Sequence, residues 1–395
     1  MVSQNLSMFE QSARRPSVHL APQAGRGSQP ASADVARQAR HFDVKLNQLE
    51  RAHEIVGHAV PPTPAHAWPL LAERLGASVI VKHENHTPAG AFKVRGGLVY
   101  MERLKRERPQ IPGIISATTG NHGQSLGFAA GRYRLPVTIY VPHGNSIEKN
   151  RAMKALGAKL VEHGEDFEAA RNEARRHAER EGLEIVPSFH RDLCLGVATY
   201  ALELYRAASD LDVLYVPIGQ GSGICGCILV RDLLGLKTEI VGVQSTEAPS
   251  YALSFAAGTI ISTNSCNTRA DGVATRIPDP DSFEIIRKGA SHIVQVTDDE
   301  IAFAMRAYWT DTHNLSEGAG AAALAAALQE KPRLRGKRVG LVLSGGNVDF
   351  DLFRRWVTDA HVSMSSSGLT GRSSTLRPES SSQAPVVTGC RPSRA

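Results

Sequence analysis

Along the central part of this chain, short and nearly continuous apolar runs alternate with longer stretches of helical period. The runs are Ser78–Val81, Gly113–Ser116, Val137–Val141, Lys159–Val161, Glu184–Val186, Asp212–Val216, Glu239–Gln244, His292–Val296 and Val339–Leu343. They are rich in β-branched residues and lack polar alternation, as parallel strands covered on both faces are. Between them, Phe167–Glu181 and Asp299–Thr312 carry apolar stripes on otherwise polar faces, which predicts amphipathic helices. Ser222–Leu234 and Glu317–Leu328 are small and apolar throughout, which predicts buried ones. Strand–helix alternation of this kind predicts an α/β fold with parallel twisted sheets flanked by helices. Nine strands in about 320 residues predict two lobes with a cleft between them.

The two ends of the 395-residue chain lack any such period. Residues 1–41 are rich in Ala, Gln, Ser and Arg, and residues 362–395 are Ser-rich with scattered Gly and Pro. Neither composition buries enough apolar surface to offset chain entropy, so both are expected to be disordered; the Arg-rich first segment also has the character of an organelle-targeting peptide. The charge follows the same division. The net charge is +6, the first 41 and last 34 residues each hold +3, and residues 42–361 balance. A neutral body argues against a nucleic-acid groove, which needs a basic face. No apolar run approaches the roughly 20 residues of a membrane span. The five cysteines, Cys194, Cys225, Cys227, Cys266 and Cys390, lack metal-ligand spacing and read as reduced thiols of a cytoplasmic protein.

In open parallel sheets, ligands sit beyond the carboxyl ends of strands, where loops meet helix N-termini. Four such junctions carry unusual chemistry. In the first, His83 to Gly97, Lys93 stands at a helix start, where the helix dipole disfavours a protonated amine and suits a nucleophile or base. A solvated lysine on a first helical turn would leave the same signature. In the second, Ser116-Ala117-Thr118-Thr119-Gly120-Asn121-His122, side-chain donors and free backbone N–H groups converge as a carboxylate requires. An N-cap by Thr118 or Thr119 would explain one residue of that run, but not Asn121 and His122 as well. The third, Gly219-Gln220-Gly221-Ser222-Gly223, ends a strand and opens a helix, a geometry that cradles phosphate, although a tight turn alone also uses glycine. The fourth, Ser344-Gly345-Gly346-Asn347, closes the last strand; Ser344 offers a hydroxyl to a ring nitrogen, or the segment is only a glycine turn. Together the four supply an imine-forming lysine, a carboxylate loop, a phosphate cup and a hydroxyl for a heterocycle, which pyridoxal phosphate and an amino acid would need.

With these motifs in this order, the chain from about Pro61 to Val357 resembles the threonine/serine dehydratase group of the tryptophan synthase β-like, fold type II pyridoxal-phosphate enzymes. The resemblance implies that Lys93, in Phe92-Lys93-Val94-Arg95-Gly96, forms the imine with pyridoxal 5′-phosphate. It assigns Asn121 to the cofactor's 3′-oxygen, Gly219, Gln220, Gly221, Ser222 and Gly223 to its phosphate, and Ser344 to its pyridine nitrogen. The implied reaction is α,β-elimination from a β-hydroxy amino acid of the L-threonine or L-serine type, giving a 2-oxo acid and ammonia. Lys93 serves as the base, and Ser116, Thr118, Thr119 and His122 bind the substrate. A neutral hydroxyl at the ring nitrogen is a weaker electron sink than a carboxylate, which favours elimination over transamination. Racemisation, elimination from a bulkier substrate such as phenylserine or hydroxyaspartate, and cofactor binding without turnover remain as alternatives.

Three departures qualify the resemblance. Gln220 and Ser222 interrupt the usual glycine run. Thr119 stands where relatives carry Ser or Ala, and it is also the candidate catalytic group on the face opposite Lys93. Glu247 is displaced by two positions from a carboxylate that contributes to a cation site in many relatives, so no metal is expected. The expected organisation is a catalytic body over 42–361, with a smaller lobe of roughly 95–205 inserted in the larger. The expected partner is a small amino acid, in a cytoplasmic homo-oligomer that binds neither nucleic acid nor membrane. The tail after Trp356 is too short and polar to fold alone, so no isoleucine-binding regulatory domain is expected.

Overall fold

The computed structural model describes residue 42 and residues 44–359. The segments 1–41 and 362–395, expected to be disordered, lie outside the described residues. The described chain forms an α/β structure with two sheets. The larger has six strands in the order β1 (Ala65–Ala67), β2 (Ser78–His83), β10 (Arg338–Leu343), β7 (Val213–Pro217), β8 (Glu239–Ser245) and β9 (His292–Val296). The smaller has four, in the order β5 (Lys159–Glu162), β4 (Val137–Val141), β3 (Ile114–Ala117) and β6 (Glu184–Ile185). Every pairing is parallel except that of β1 with β2.

All nine expected strands form, with ends shifted by at most two residues. The tenth, β1, was not expected: Ala-His-Ala is too short to show a period, and it pairs only at the sheet edge. β2 runs past Val81 through Lys82 and His83, in register with Val342 and Leu343 of β10. Polar residues ended the apolar run in the sequence, but Lys82 is buried there because carboxylates meet it.

The helices form where their local signals place them. Phe167–Glu181 opens on the Asp166 carboxylate, which accepts from the Ala169 N–H at 2.8 Å, and closes on Gly182 in the left-handed region. Asp298–Thr312 opens on a reciprocal cap between Thr297 and Glu300. Ser222–Leu233 and Gly318–Gln329 are almost wholly buried, as their composition predicts. On one face of the large sheet, Gly318–Gln329 and Asp298–Thr312 pack into a core with Val81, Tyr215, Val241 and Leu341. On the other, Arg191–Ala207 and Ser222–Leu233 pack against Leu214, Val216 and Val342. The carboxyl ends of β2, β10 and β7 are therefore neighbours, and three of the four junctions leave from them.

Candidate active site

Lys93 is the first residue of the helix Lys93–Glu107, and the chain just before it is clamped to the end of β10. Ala91 forms an antiparallel bridge with Gly345, the Phe92 N–H donates to the Ser344 carbonyl at 3.1 Å, and the Gly346 N–H donates to the Gly90 carbonyl at 2.9 Å. Gly90 takes the turn at φ +67°, where a Cβ would also strike the Asn347 side chain. The Lys93 carbonyl accepts from Ser125 Oγ at 2.6 Å, which ties it to the helix Asn121–Arg132 after β3. One turn along, the Lys93 helix crosses Arg191–Ala207 with backbone against backbone. A Cβ on Gly96 would lie 2.6 Å from the Leu193 carbonyl oxygen, and one on Gly196 would lie 2.3 Å from that of Arg95. Burial pushes the Lys93 ammonium below its usual range, against the opposing pull of Glu317 and Asp271.

The glycine loop follows β7 and abuts the same spot: a Cβ on Gly223 would lie 3.8 Å from Cζ of Phe92. Gly221 stands at φ +98° and directly precedes the helix Ser222–Leu233. A Cβ on Gly219 would lie 2.3 Å from the Gly272 carbonyl oxygen. The Gln220 carbonyl accepts from the Tyr251 hydroxyl at 3.1 Å, and the Gly223 carbonyl from that of Tyr200 at 3.0 Å. Two of the loop's carbonyls are thus engaged by tyrosines, and the loop runs into a helix N-terminus. Ser344 is buried at the end of β10.

The loop after β3 holds the remaining sequence candidates. Asn121 Nδ2 donates to Glu317 Oε1 at 2.7 Å, and its Oδ1 accepts from Asn347 Nδ2 at 2.8 Å. Thr119 is half-buried and lines a pocket of about 230 Å³. Thr118 is buried, with its hydroxyl accepting from the Gly120 N–H at 3.2 Å. Ser116 and His122 are also buried and both turn to Val186: the Ser116 hydroxyl donates to its carbonyl at 2.8 Å, and His122 bonds to its backbone. Burial, and then the charge of Lys93, push the His122 imidazole down to about 3, and its Nε2 has no hydrogen-bond partner. Lys93, the glycine loop, Ser344 and Asn121 therefore converge, whereas Ser116, Thr118 and His122 are buried, His122 near enough to Lys93 to feel its charge.

Three participants escaped the sequence reading, Glu317, Lys149 and Asp271, and a fourth, Asn347, stood in the last junction without a role of its own. Lys149 Nζ meets Asp271 Oδ2 at 2.5 Å and Glu317 Oε2 at 3.8 Å, across a sequence separation that no local pattern spans. Glu317 showed only as the start of a helix. The available signal was an acid at the head of an otherwise all-small buried helix. Among the described residues no group of three or more His, Cys, Asp and Glu is poised to hold a metal, and Glu247 is exposed. No helix among them is long and apolar enough to cross a membrane.

These residues fit pyridoxal phosphate. The loop leaves no room for a Cβ at Gly219, takes a left-handed turn at Gly221, and directs a helix N-terminus at the space beside Phe92. The buried amine of Lys93 is already displaced toward its neutral, nucleophilic form.

Comparison with known proteins agrees. The chain is 30% identical over 320 residues to an L-threonine ammonia-lyase of Thermotoga maritima, covering 81% of this chain and 79% of that protein. It is 33% identical to an L-threo-3-hydroxyaspartate ammonia-lyase of Saccharomyces cerevisiae, covering 73% and 89%. The processed form of threonine deaminase isoform 2 from Solanum lycopersicum superposes with a TM-score of 0.75 at 27% identity, covering 85% and 96%; maize serine racemase does so with 0.75 at 26%, covering 80% and 97%. Residues 56–345 match the family described as "Pyridoxal-phosphate dependent enzyme", a span that holds the first three junctions and Ser344 and Gly345 of the fourth, and the chain belongs to that family.

Proposed function

We propose that the protein eliminates water from a free β-hydroxy amino acid of the L-threonine or L-serine type, and that a 2-oxo acid and ammonia result. One observation carries this reading: the backbone clamp of Phe92 to Ser344 and the contact of Phe92 with Gly223 gather lysine, hydroxyl and phosphate cup around one residue. Bound pyridoxal phosphate supplies the electron sink that acidifies the substrate's Cα–H. The chain does the rest. Backbone N–H groups of Gly219, Gln220, Gly221, Ser222 and Gly223 would hold the phosphate at the positive end of the helix dipole. Asn121 would offer its remaining N–H to the 3′-oxygen, and Ser344 would offer a neutral hydroxyl to the ring nitrogen. Lys93 Nζ takes the Cα proton, and its depressed pKa leaves more of it in the neutral basic form at pH 7. The Ser116–His122 loop receives the substrate carboxylate. Thr119 meets the pocket directly, and Ser116, Thr118 and His122 fix the loop from within.

A second reading has its own observation. Arg269 lines the pocket, and its ion pair with Asp298 is long, 3.9 Å. A guanidinium so placed suits a second substrate carboxylate, as 3-hydroxyaspartate carries. The test is 2-oxo acid release from threonine, serine, phenylserine and 3-hydroxyaspartate, both enantiomers of each. Release from L-threonine or L-serine supports the first reading and preference for 3-hydroxyaspartate the second. No release from any of them, with cofactor saturating, overturns both.

We further propose a body over 42–361 in which a smaller lobe, about 95–205, is set into the larger; β3 to β6 all fall within that span. A homo-oligomer in the cytoplasm completes the reading, in keeping with the buried thiols of Cys194, Cys225 and Cys227.

A further inference from the structure

We propose that Glu317 is a positioning residue, aiming the Asn121 amide at the cofactor ring and making that aim depend on the charge of one buried carboxyl. This rests on the pyridoxal-phosphate reading of the site. The place for the carboxyl is built by glycine: a Cβ on Gly345 would lie 2.5 Å from Glu317 Oε1. The Glu317 N–H donates to the Gly345 carbonyl at 3.1 Å, and Ser316 Oγ donates to the Glu317 carbonyl at 2.8 Å. The residue is 3% exposed. Its Oε1 accepts from Asn121 Nδ2, and its Oε2 has no hydrogen-bond partner.

An amide has one acceptor end and one donor end. With Oδ1 of Asn121 taking the Asn347 N–H and Nδ2 giving one N–H to Glu317, the second N–H of Nδ2 is free for a ligand. Flipping the amide would set its oxygen against an ionised carboxylate and its NH2 against the Asn347 NH2. The ionised carboxyl therefore enforces one orientation. A protonated carboxyl does not, because its O–H could donate to the flipped amide oxygen.

The groups facing Glu317 come from several elements. They are Lys149 on the helix Ile147–Ala155, Asp271 on a short 3-10 turn and Lys93 at its helix start, with Arg269 and Asp349 further round the pocket. Lys149 is already engaged by Asp271, so it offsets the burial of Glu317 only in part. Burial pushes the Glu317 carboxyl up, Lys149 pulls it down, and Asp271 pushes it up again, leaving it at about 7. The orientation is enforced above that pH and released as pH falls through it.

The test is the visible absorbance of the cofactor–Lys93 chromophore in the substrate-free holoenzyme, followed over about two pH units either side of neutrality. The expected result is an inflection near neutrality in the wild type and its loss in Glu317→Gln, whose amide oxygen still accepts from Asn121 but does not ionise. Glu317→Gln should keep its cofactor and melting temperature, and lose about tenfold in kcat with KM within about threefold. Glu317→Ala should also bind added pyridoxal phosphate at least about tenfold more weakly as apoenzyme. The proposal is overturned by an unchanged inflection in Glu317→Gln while Lys93→Ala lacks the cofactor–Lys93 imine band, an outcome that leaves the proposed function standing. Wild-type protein that forms no chromophore with saturating pyridoxal phosphate overturns both.

Discussion

Arg95 lies two residues beyond Lys93 and is fully buried. Its Nε and Nη2 reach Glu84 at 2.7 and 3.0 Å, and its Nη1 and Nη2 reach Glu203 at 2.6 and 2.9 Å. Thr199 and Thr63 accept from it at 3.2 and 3.3 Å. Lys82 completes the cluster with Nζ 2.5 Å from Glu203. Two cations face two carboxylates with almost no access to water, so the cluster is balanced only when complete. Arg95→Leu leaves Lys82 alone against two buried acids. Breaking a buried pair from one side costs about 3–5 kcal/mol. For a body of this size that corresponds to a fall in Tm of roughly 4–8 °C. Removing Glu203 as well leaves Lys82 and Glu84, one charge of each sign 3.9 Å apart. Arg95→Leu with Glu203→Leu should therefore recover at least half of the loss. Urea unfolding of the two single variants and the double variant, followed by far-UV circular dichroism, measures this. A loss below about 1 kcal/mol in Arg95→Leu, or a double variant destabilised by the sum of the singles, would refute the reasoning. The cluster also sets an acid limit. Burial works to raise the Glu203 carboxyl, but Arg95 and then Lys82 overcome it and hold it below the usual carboxylate range. Its contribution is present above the unfolded-state pKa and is lost as pH falls through the folded one, so Arg95→Leu should show a flatter acid limb.

Lys93→Ala should abolish turnover and leave the fold intact; more than about a tenth of the wild-type rate would sink the assignment of Lys93 as imine partner and base. Gly219→Ala forces a methyl to 2.3 Å from the Gly272 carbonyl, a backbone atom with little freedom to yield. Cofactor affinity should fall about tenfold or more, and an unchanged spectrophotometric titration of apoenzyme would contradict the phosphate assignment. Racemisation should be minor beside elimination, because the β-branch of Thr119 restricts the hydroxyl that would serve the second face of the substrate. L-Serine in D₂O should yield pyruvate well ahead of D-serine, and Thr119→Ser should raise D-serine alone; equal rates in the wild type would show that Thr119 does not obstruct proton delivery.

The sheet strands were legible because burial on both faces writes an unbroken apolar run, and the four junctions because glycine, lysine and amide residues are sparse in such runs. What was missed is non-local. Lys82 and His83 end the run in the sequence, yet they continue β2, since the partners that make their burial possible lie elsewhere in the chain. Lys149 and Asp271 are ordinary surface residues by local pattern, and they meet, with Lys149 buried and Asp271 still exposed, only once the chain is folded. Ser116 and His122 were grouped with the substrate loop by adjacency. Their side chains turn instead to Val186, because a strand residue and a first-turn helix residue can face inward while the loop between them faces out.

The crossing of Gly96 and Gly196 has an evolutionary consequence. Where helices are spaced by side chains, each substitution at the contact shifts their separation by fractions of an ångström, and a reactive group on either helix drifts with it. Here the spacer is the main chain itself, which mutation does not resize. The position of Lys93 is thereby insulated from turnover in the surrounding core. Sequence can diverge widely around the amine while its depth in the fold stays constant.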